Sequence, residues 1–166
     1  MSTFFISDLH FGHENMAIKR GFSCADEMNE LIITNWNLWI SKRDLVFILG
    51  DITMEKKSYY SLLSTMKGIK HVVLGNHDRR QDVKELLKYV DSVAGMTSYK
   101  GNILTHCPIH HSEMEERRFT FNIHGHVHEK TLPDIRYINV SCENTNYTPI
   151  EFNRLINNRE SWENYI

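Results

Sequence analysis

Five short apolar runs in this chain each lead into oxygen or nitrogen donors, and that repetition constrains the fold more than any other feature. Thr3-Phe4-Phe5-Ile6-Ser7 runs into Asp8-Leu9-His10, Leu45 to Gly50 into Asp51, and His71 to Gly75 into Asn76-His77-Asp78. Asn102 to Thr105 ends in His106, and Phe119 to Ile123 leads to His124-Gly125-His126-Val127-His128. A sixth run, Ile135 to Val140, is also strand-like. Helical patterns lie over Asp26 to Ile40, Tyr59 to Met66 and Val83 to Tyr89, and Tyr99-Lys100-Gly101-Asn102 reads as a hairpin turn. Strands alternating with helices predict βαβ units and a parallel sheet in the first half, with mostly β structure after it. In such a sheet ligands bind at the carboxyl ends of the strands, which is where the donors stand.

Composition limits what those donors can serve. At 166 residues, 41% of them hydrophobic and 24% charged, the chain suits a single α/β domain. A formal net charge of −2 gives no strong nucleic-acid signal. Cys24, Cys107 and Cys142 form no C-x-x-C pair, so neither a disulfide framework nor a zinc ribbon is expected. No apolar run approaches the length of a membrane span, and no basic, apolar leader opens the chain, so a cytoplasmic setting without a membrane partner is the expectation.

The donors are of one kind. Asp8, His10, Asp51, Asn76, His106, His126 and His128 offer oxygen and imidazole nitrogen, a set that suits Mn²⁺ foremost, with Fe or Zn²⁺ as alternatives. Seven donors are too many for one catalytic ion with an open position, but they suit two divalent metal ions sharing a bridging carboxylate. Asp78 reads as an acceptor that orients one of the imidazoles. Gly50, Gly75 and Gly125 precede donors where the backbone is expected to turn sharply.

Taken in order, Asp8-x-His10, Gly50-Asp51, Gly75-Asn76-His77-Asp78, His106 and Gly125-His126-x-His128 resemble the calcineurin-like metallophosphoesterase superfamily. The tail, Ile138-Asn139-Val140-Ser141 and Tyr147-Thr148-Pro149-Ile150, is similar to the end of its short bacterial and phage members. The resemblance implies a four-layer α/β/β/α sandwich with mixed sheets. It also implies one ion on Asp8, His10, Asp51 and His128, a second on Asp51, Asn76, His106 and His126, and Asp51 between them. His77 would be the non-ligating histidine beside the leaving group, acting as a proton donor. The implied activity is phosphoester hydrolysis by a hydroxide generated between two metal ions.

The substrate is read mainly by elimination. The second motif continues Ile52-Thr53-Met54-Glu55-Lys56, without the second Asp and the Arg of protein phosphatases of the superfamily. No insertion supplies a lid helix for lipid-linked pyrophosphates or a DNA-capping domain. A phosphodiesterase for a small or nucleotide-like substrate is therefore expected. A phosphomonoesterase or nucleotide phosphatase, a non-catalytic scaffold of the same fold, and a mononuclear zinc hydrolase stand as alternatives. His13, Arg79 and His110 are candidate substrate contacts, against capping, solvated and structural readings respectively. His71, His124 and Cys107 read as structural, the last as a small buried residue, and Trp36 and Trp39 as core. Glu113 to Arg118 reads as a solvated surface segment, and the Trp/Leu helix leaves a homo-oligomer open.

Overall fold

In the first two strands nearly every residue is apolar, because both faces of each are covered. The computed structural model describes residues 1–157. Strands β1 (Thr3–Ile6) and β2 (Leu45–Ile48) pair in parallel, with Phe4 opposite Val46 and Ile6 opposite Ile48. Alternate side chains enter different cores. Phe4, Ile6, Val46 and Ile48 pack with the helices, whereas Phe5, Phe47 and Leu49 meet Leu104 and Ile123 of a second sheet and Val140 just beyond its last strand.

The first sheet continues through β3 (Ile69–Val73) and β4 (Ser92–Ala94), both parallel, and is closed on the other edge by antiparallel β9 (Ile150–Glu151). The second sheet contains β5 (Thr97–Tyr99), β6 (Asn102–Leu104), β7 (Asn122–His124) and β8 (Tyr137–Asn139), in that spatial order. β6, β7 and β8 are parallel; β5 is antiparallel to β6. The β5–β6 turn has Lys100 at φ 47 and Gly101 at φ 77, as a two-residue hairpin of type I′ requires. The fold is thus a mixed α/β domain with two mixed sheets packed face to face.

Helix α1 (Glu14–Lys19) leads into α2 (Ala25–Trp39), which lies on the first sheet. Met28, Ile32 and Trp36, spaced four apart, are fully buried, and the Trp36 indole N–H donates to the Lys67 carbonyl at 2.8 Å. Trp39 departs from the expected core role. It stands 57% exposed beside Leu38, one position off that buried row. The expected helix over Tyr59 to Met66 is a 3₁₀ segment, Lys57–Thr65, and the one after Val83 shortens to α3 (Val83–Leu86). On the outer face of the second sheet the fourth layer is thin. The 109–117 segment covers it, with Asn122 Oδ1 accepting from Ile109 N–H and Tyr137 donating to the Ile109 carbonyl. The charged run expected to be solvated surface lies largely in α4 (His111–Arg117), whose Met114 is buried. A further short helix, α5 (Phe152–Asn157), returns Leu155 to the core between the sheets.

Candidate metal centre

Backbone hydrogen bonds draw the carboxyl ends of the strands together. Asp8 N–H donates to the Gly50 carbonyl and His10 N–H to the Asp51 carbonyl, both at 3.0 Å, so the loops after β1 and β2 are zipped side by side. Ser7 N–H to the Val140 carbonyl joins the two sheets, and Gly125 N–H to the His106 carbonyl joins the ends of β6 and β7. Five of the seven predicted donors sit on left-handed backbone: Asp8 (φ 58), His10 (φ 50), Asp51 (φ 53), His126 (φ 71) and His128 (φ 52). Non-glycine residues seldom adopt this region, and where they cluster the surrounding structure holds them there.

One group of donors is buried. Asp8 is fully buried and His10 is 2% exposed. Asp8 Oδ2 accepts from Ser141 Oγ–H at 2.8 Å and from His126 N–H at 3.0 Å, while Oδ1 is buried without a partner. Both ring nitrogens of His10 are buried without partners as well. Burial, opposed by the Asp51 carboxylate, pushes the His10 pKa down to about 3, so its ring is neutral and presents a lone pair. His10 stacks on His128 at 5.3 Å between centroids, and the donor atoms of Asp8, His10 and His128 lie within 4.8 Å of one another.

His128 is aimed by a residue the sequence reading did not single out. Its Nδ1 lies 2.9 Å from Glu143 Oε1, which also accepts from Arg20 Nε–H at 2.8 Å. Burial alone would raise the Glu143 pKa. The His128 hydrogen bond and the Arg20 charge outweigh it and hold the carboxyl at about 2. With a proton fixed on Nδ1, His128 keeps its Nε2 lone pair for a ligand. The sequence carried one hint: Glu143 follows the end of β8 by four residues, on the same rim as the other donors.

The second group is open to solvent. Asn76 and His126 are exposed, while Asp51 and His106 are buried. Asn76 Oδ1 stands 2.9 Å from both His106 Nε2 and His126 Nδ1, and Asp51 Oδ2 is 3.3 Å from His106 Nε2. His106 Nδ1 points at the Leu49 carbonyl at 2.8 Å, which assigns the proton of the neutral ring to Nδ1. The Nε2 lone pair then faces two oxygen acceptors. A proton or a metal cation between Nε2 and the Asp51 carboxylate relieves one of these contacts, and a reversed Asn76 amide would relieve the other. Burial lowers the His106 pKa, but the Asp51 hydrogen bond and charge overcome it and raise the pKa. Asp51 Oδ2 is also 3.8 Å from His10 Nε2, placing this oxygen between the two groups, while Oδ1 is taken by His77 N–H at 2.9 Å. The donor set and its unpartnered atoms therefore fit divalent ions.

Other candidate residues stand elsewhere. Asp78 serves the backbone instead of an imidazole, because the loops after β2 and β3 present their N–H groups to it. Its oxygens accept from Asp51 N–H, Gly75 N–H and Ile52 N–H at 2.8, 2.9 and 3.1 Å. Of the three glycines only Gly50 has the left-handed backbone expected for a sharp turn (φ 91). Gly75 and Gly125 are required by close approach: a Cβ there would collide with Asp51, and with Ser7 and Asp8, respectively. His77 is half-buried with its ring centroid 5.8 Å from that of His10, and its Nδ1 is buried without a partner. His13 lies equally near His10, but its Nδ1 caps α1 by accepting from Met16 N–H at 2.7 Å. Arg79 is ion-paired with Glu55, and His110 bonds Ser112 and stacks on His111. Neither shares a hydrogen bond, ion pair or ring contact with the donor groups among the described residues. Cys107, expected to be buried, is exposed, because it follows His106 out of the sheet, where its sulfur lies within 4.8 Å of donor atoms of His106 and His126. His124 is a buried strand residue, as expected, packed on Tyr137.

A family model for calcineurin-like phosphoesterases matches residues 1–164. The chain belongs to the calcineurin-like phosphoesterase family. It is 32% identical, over 92% of its length and 88% of the relative's, to the uncharacterized protein MJ1445 of Methanocaldococcus jannaschii. It is 28% identical to the Gene 66 protein of Mycobacterium phage D29, covering 86% and 88% of the two chains. In structure it resembles protein AQ665 of Aquifex aeolicus, a protein of unknown function, with a TM-score of 0.77, 26% identity, and 93% and 97% coverage. Both donor groups of this calcineurin-like phosphoesterase lie beyond the carboxyl ends of its strands, and no helix among its described residues is long and apolar enough to cross a membrane.

Proposed function

We propose that this phosphoesterase is a two-metal phosphodiesterase that acts in the cytoplasm on a small or nucleotide-like substrate. Asp8, His10, Asp51 and His128 would hold one ion; Asp51, Asn76, His106 and His126 would hold the other. The observation that carries the reading is the position of Asp51 Oδ2, 3.8 Å from His10 Nε2 and 3.3 Å from His106 Nε2, where one carboxylate oxygen serves both groups. An all-oxygen and imidazole set supports Mn²⁺ first, then Fe or Zn²⁺. When bound, the ions would supply positive charge for the phosphoryl oxygens and acidify the attacking water.

The chain's own residues divide the remaining work. Two carboxylates against two dications leave the site net positive, which favours an anionic phosphoester. His77 sits beside His10 on a loop fastened to Asp51 through its backbone N–H, and in this reading its ring donates a proton to the leaving oxygen. Asp78 fixes the spacing of the Asp51 and Gly75 loops. His13, whose Nδ1 is committed as an acceptor, carries its neutral-state proton on Nε2 and can offer it to a substrate oxygen.

The test compares an activated phosphodiester with the matching monoester, using protein stripped of metal and reloaded with Mn²⁺. Metal-dependent diester cleavage that is lost in Asp51→Asn and His77→Ala is the expected result. Preference for the monoester would replace the diesterase reading with a phosphomonoesterase. Two bound ions with no turnover of either ester would remove the catalytic reading for these substrates.

A further inference from the structure

Arg20 and Glu143 lie 123 residues apart, yet their side chains meet behind the buried donor group. Arg20 closes α1, and its side chain is 2% exposed. The guanidinium donates in two directions: Nε–H to Glu143 Oε1 at 2.8 Å and Nη2–H to the Asp8 carbonyl at 2.7 Å, with a longer Nη1–H contact to the Leu9 carbonyl at 3.4 Å. Glu143 Oε1 faces His128 Nδ1 at 2.9 Å. A chain of hydrogen bonds therefore runs from His128 through Glu143 and Arg20 to the backbone of Asp8, a residue on left-handed backbone.

We infer that Arg20 and Glu143 are positioning residues that fix the aim of His128 and the backbone of Asp8, so that the buried group is assembled before an ion arrives. The inference rests on the two-ion reading above. Glu143 sets the tautomer: a carboxylate at Nδ1 keeps the proton there and turns Nε2 toward the site. Arg20 sets the spacing, because its planar fork reaches its acceptors from separate nitrogens at a fixed distance, whereas an ammonium must reach both from one nitrogen. Neither residue would touch the substrate. Packing alone explains a buried ion pair, but it does not explain why its two free ends terminate on two members of one donor group.

Mn²⁺ titration of metal-free protein by calorimetry tests this without any activity readout. Wild type should bind two ions. Glu143→Gln and Arg20→Lys should each weaken one of the two by about 10- to 100-fold and leave the other unchanged. In a His128→Ala background, Glu143→Gln should cost clearly less than in wild type, because only its hold on Arg20 remains. If both variants bind two ions with wild-type affinities and only melt earlier, the pair is a packing element and the inference fails. It also fails if Glu143→Gln costs as much without His128 as with it. Wild type binding fewer than two ions would instead overturn the two-ion reading, and the positioning role with it. Should Arg20→Lys not fold, Glu143→Gln and its His128→Ala partner decide the question alone.

Discussion

The two donor groups differ in how they are held. Asp8 and His10 are sealed from solvent, present unpartnered atoms, and are supported from behind by Ser141, Glu143 and Arg20. Asn76 and His126 face solvent, and Asn76 Oδ1 already crowds against His106 Nε2 and His126 Nδ1, at 2.9 Å each. The buried group is pre-shaped, and an ion would enter it with little rearrangement. The open group must spread its donors to admit one. Preorganisation lowers the cost of binding, so the buried position should hold its ion more tightly.

The largest effect should come from the residue the two groups share. Asp51→Asn removes charge from both and is expected to lower metal-dependent turnover about a thousand-fold, equivalent to roughly 4 kcal/mol of transition-state stabilisation. A loss under tenfold in steady-state kinetics would show that Asp51 does not link the groups. The comparison itself is sharpened by His10→Ala and His126→Ala, each of which should bind one Mn²⁺ per chain. The ion retained by His126→Ala, in the buried group, should bind about tenfold or more tightly than the one retained by His10→Ala. Equal affinities in a chelator competition would erase the distinction.

A fourth variant strains the buried group without removing a donor. Gly125→Ala places a methyl against Ser7 and Asp8 and should cost about 1–3 kcal/mol of stability in denaturant unfolding. A variant as stable as wild type would mean that the loop yields easily and that the group is less rigid than its burial implies. The smallest effect should lie outside both groups. Asp44 accepts from Ser41 Oγ–H at 2.6 Å and from Ser2 N–H at 2.7 Å, which holds its carboxyl below the usual carboxylate range. A lowered native pKa contributes stability that is present at neutral pH and lost as pH falls through the native value. Asp44→Asn should therefore remove about 1 kcal/mol at pH 7 and flatten the acid side of the stability profile, with Mn²⁺ uptake unchanged. A steeper acid limb in the variant would refute this.

Much of this was legible in the chain because the governing signals are local. Phe4 to Ile6 and Leu45 to Ile48 read as buried strands since no polar residue interrupts them, and the donors follow within a few positions. Tyr99-Lys100-Gly101-Asn102 read as a turn because Gly101 tolerates the backbone that a tight hairpin needs. What escaped depends on contacts distant in sequence. β4 and β9 hold only three and two residues, too few for a pattern, and exist because β3 and β1 offer them edges. Trp39 looked like core because it repeats near helical spacing, yet the sheet reaches only the face of α2 that carries Trp36. Arg20 and Glu143 are charged residues beside loops, where solvation is the ordinary reading, and nothing nearby in sequence announces their partner. Asp78 stands beside His77 in the motif but is turned toward three amides that converge only when β2 and β3 are paired.

The left-handed backbone under Asp8, His10, Asp51, His126 and His128 bears on how such a chain can change over time. Glycine would relax these five positions and so is the substitution the fold itself favours. A lineage released from catalysis should drift toward glycine and asparagine there, gaining a hardier shell as it loses its donors. His10, whose two ring nitrogens are buried without a partner, is the one the fold alone has least reason to keep.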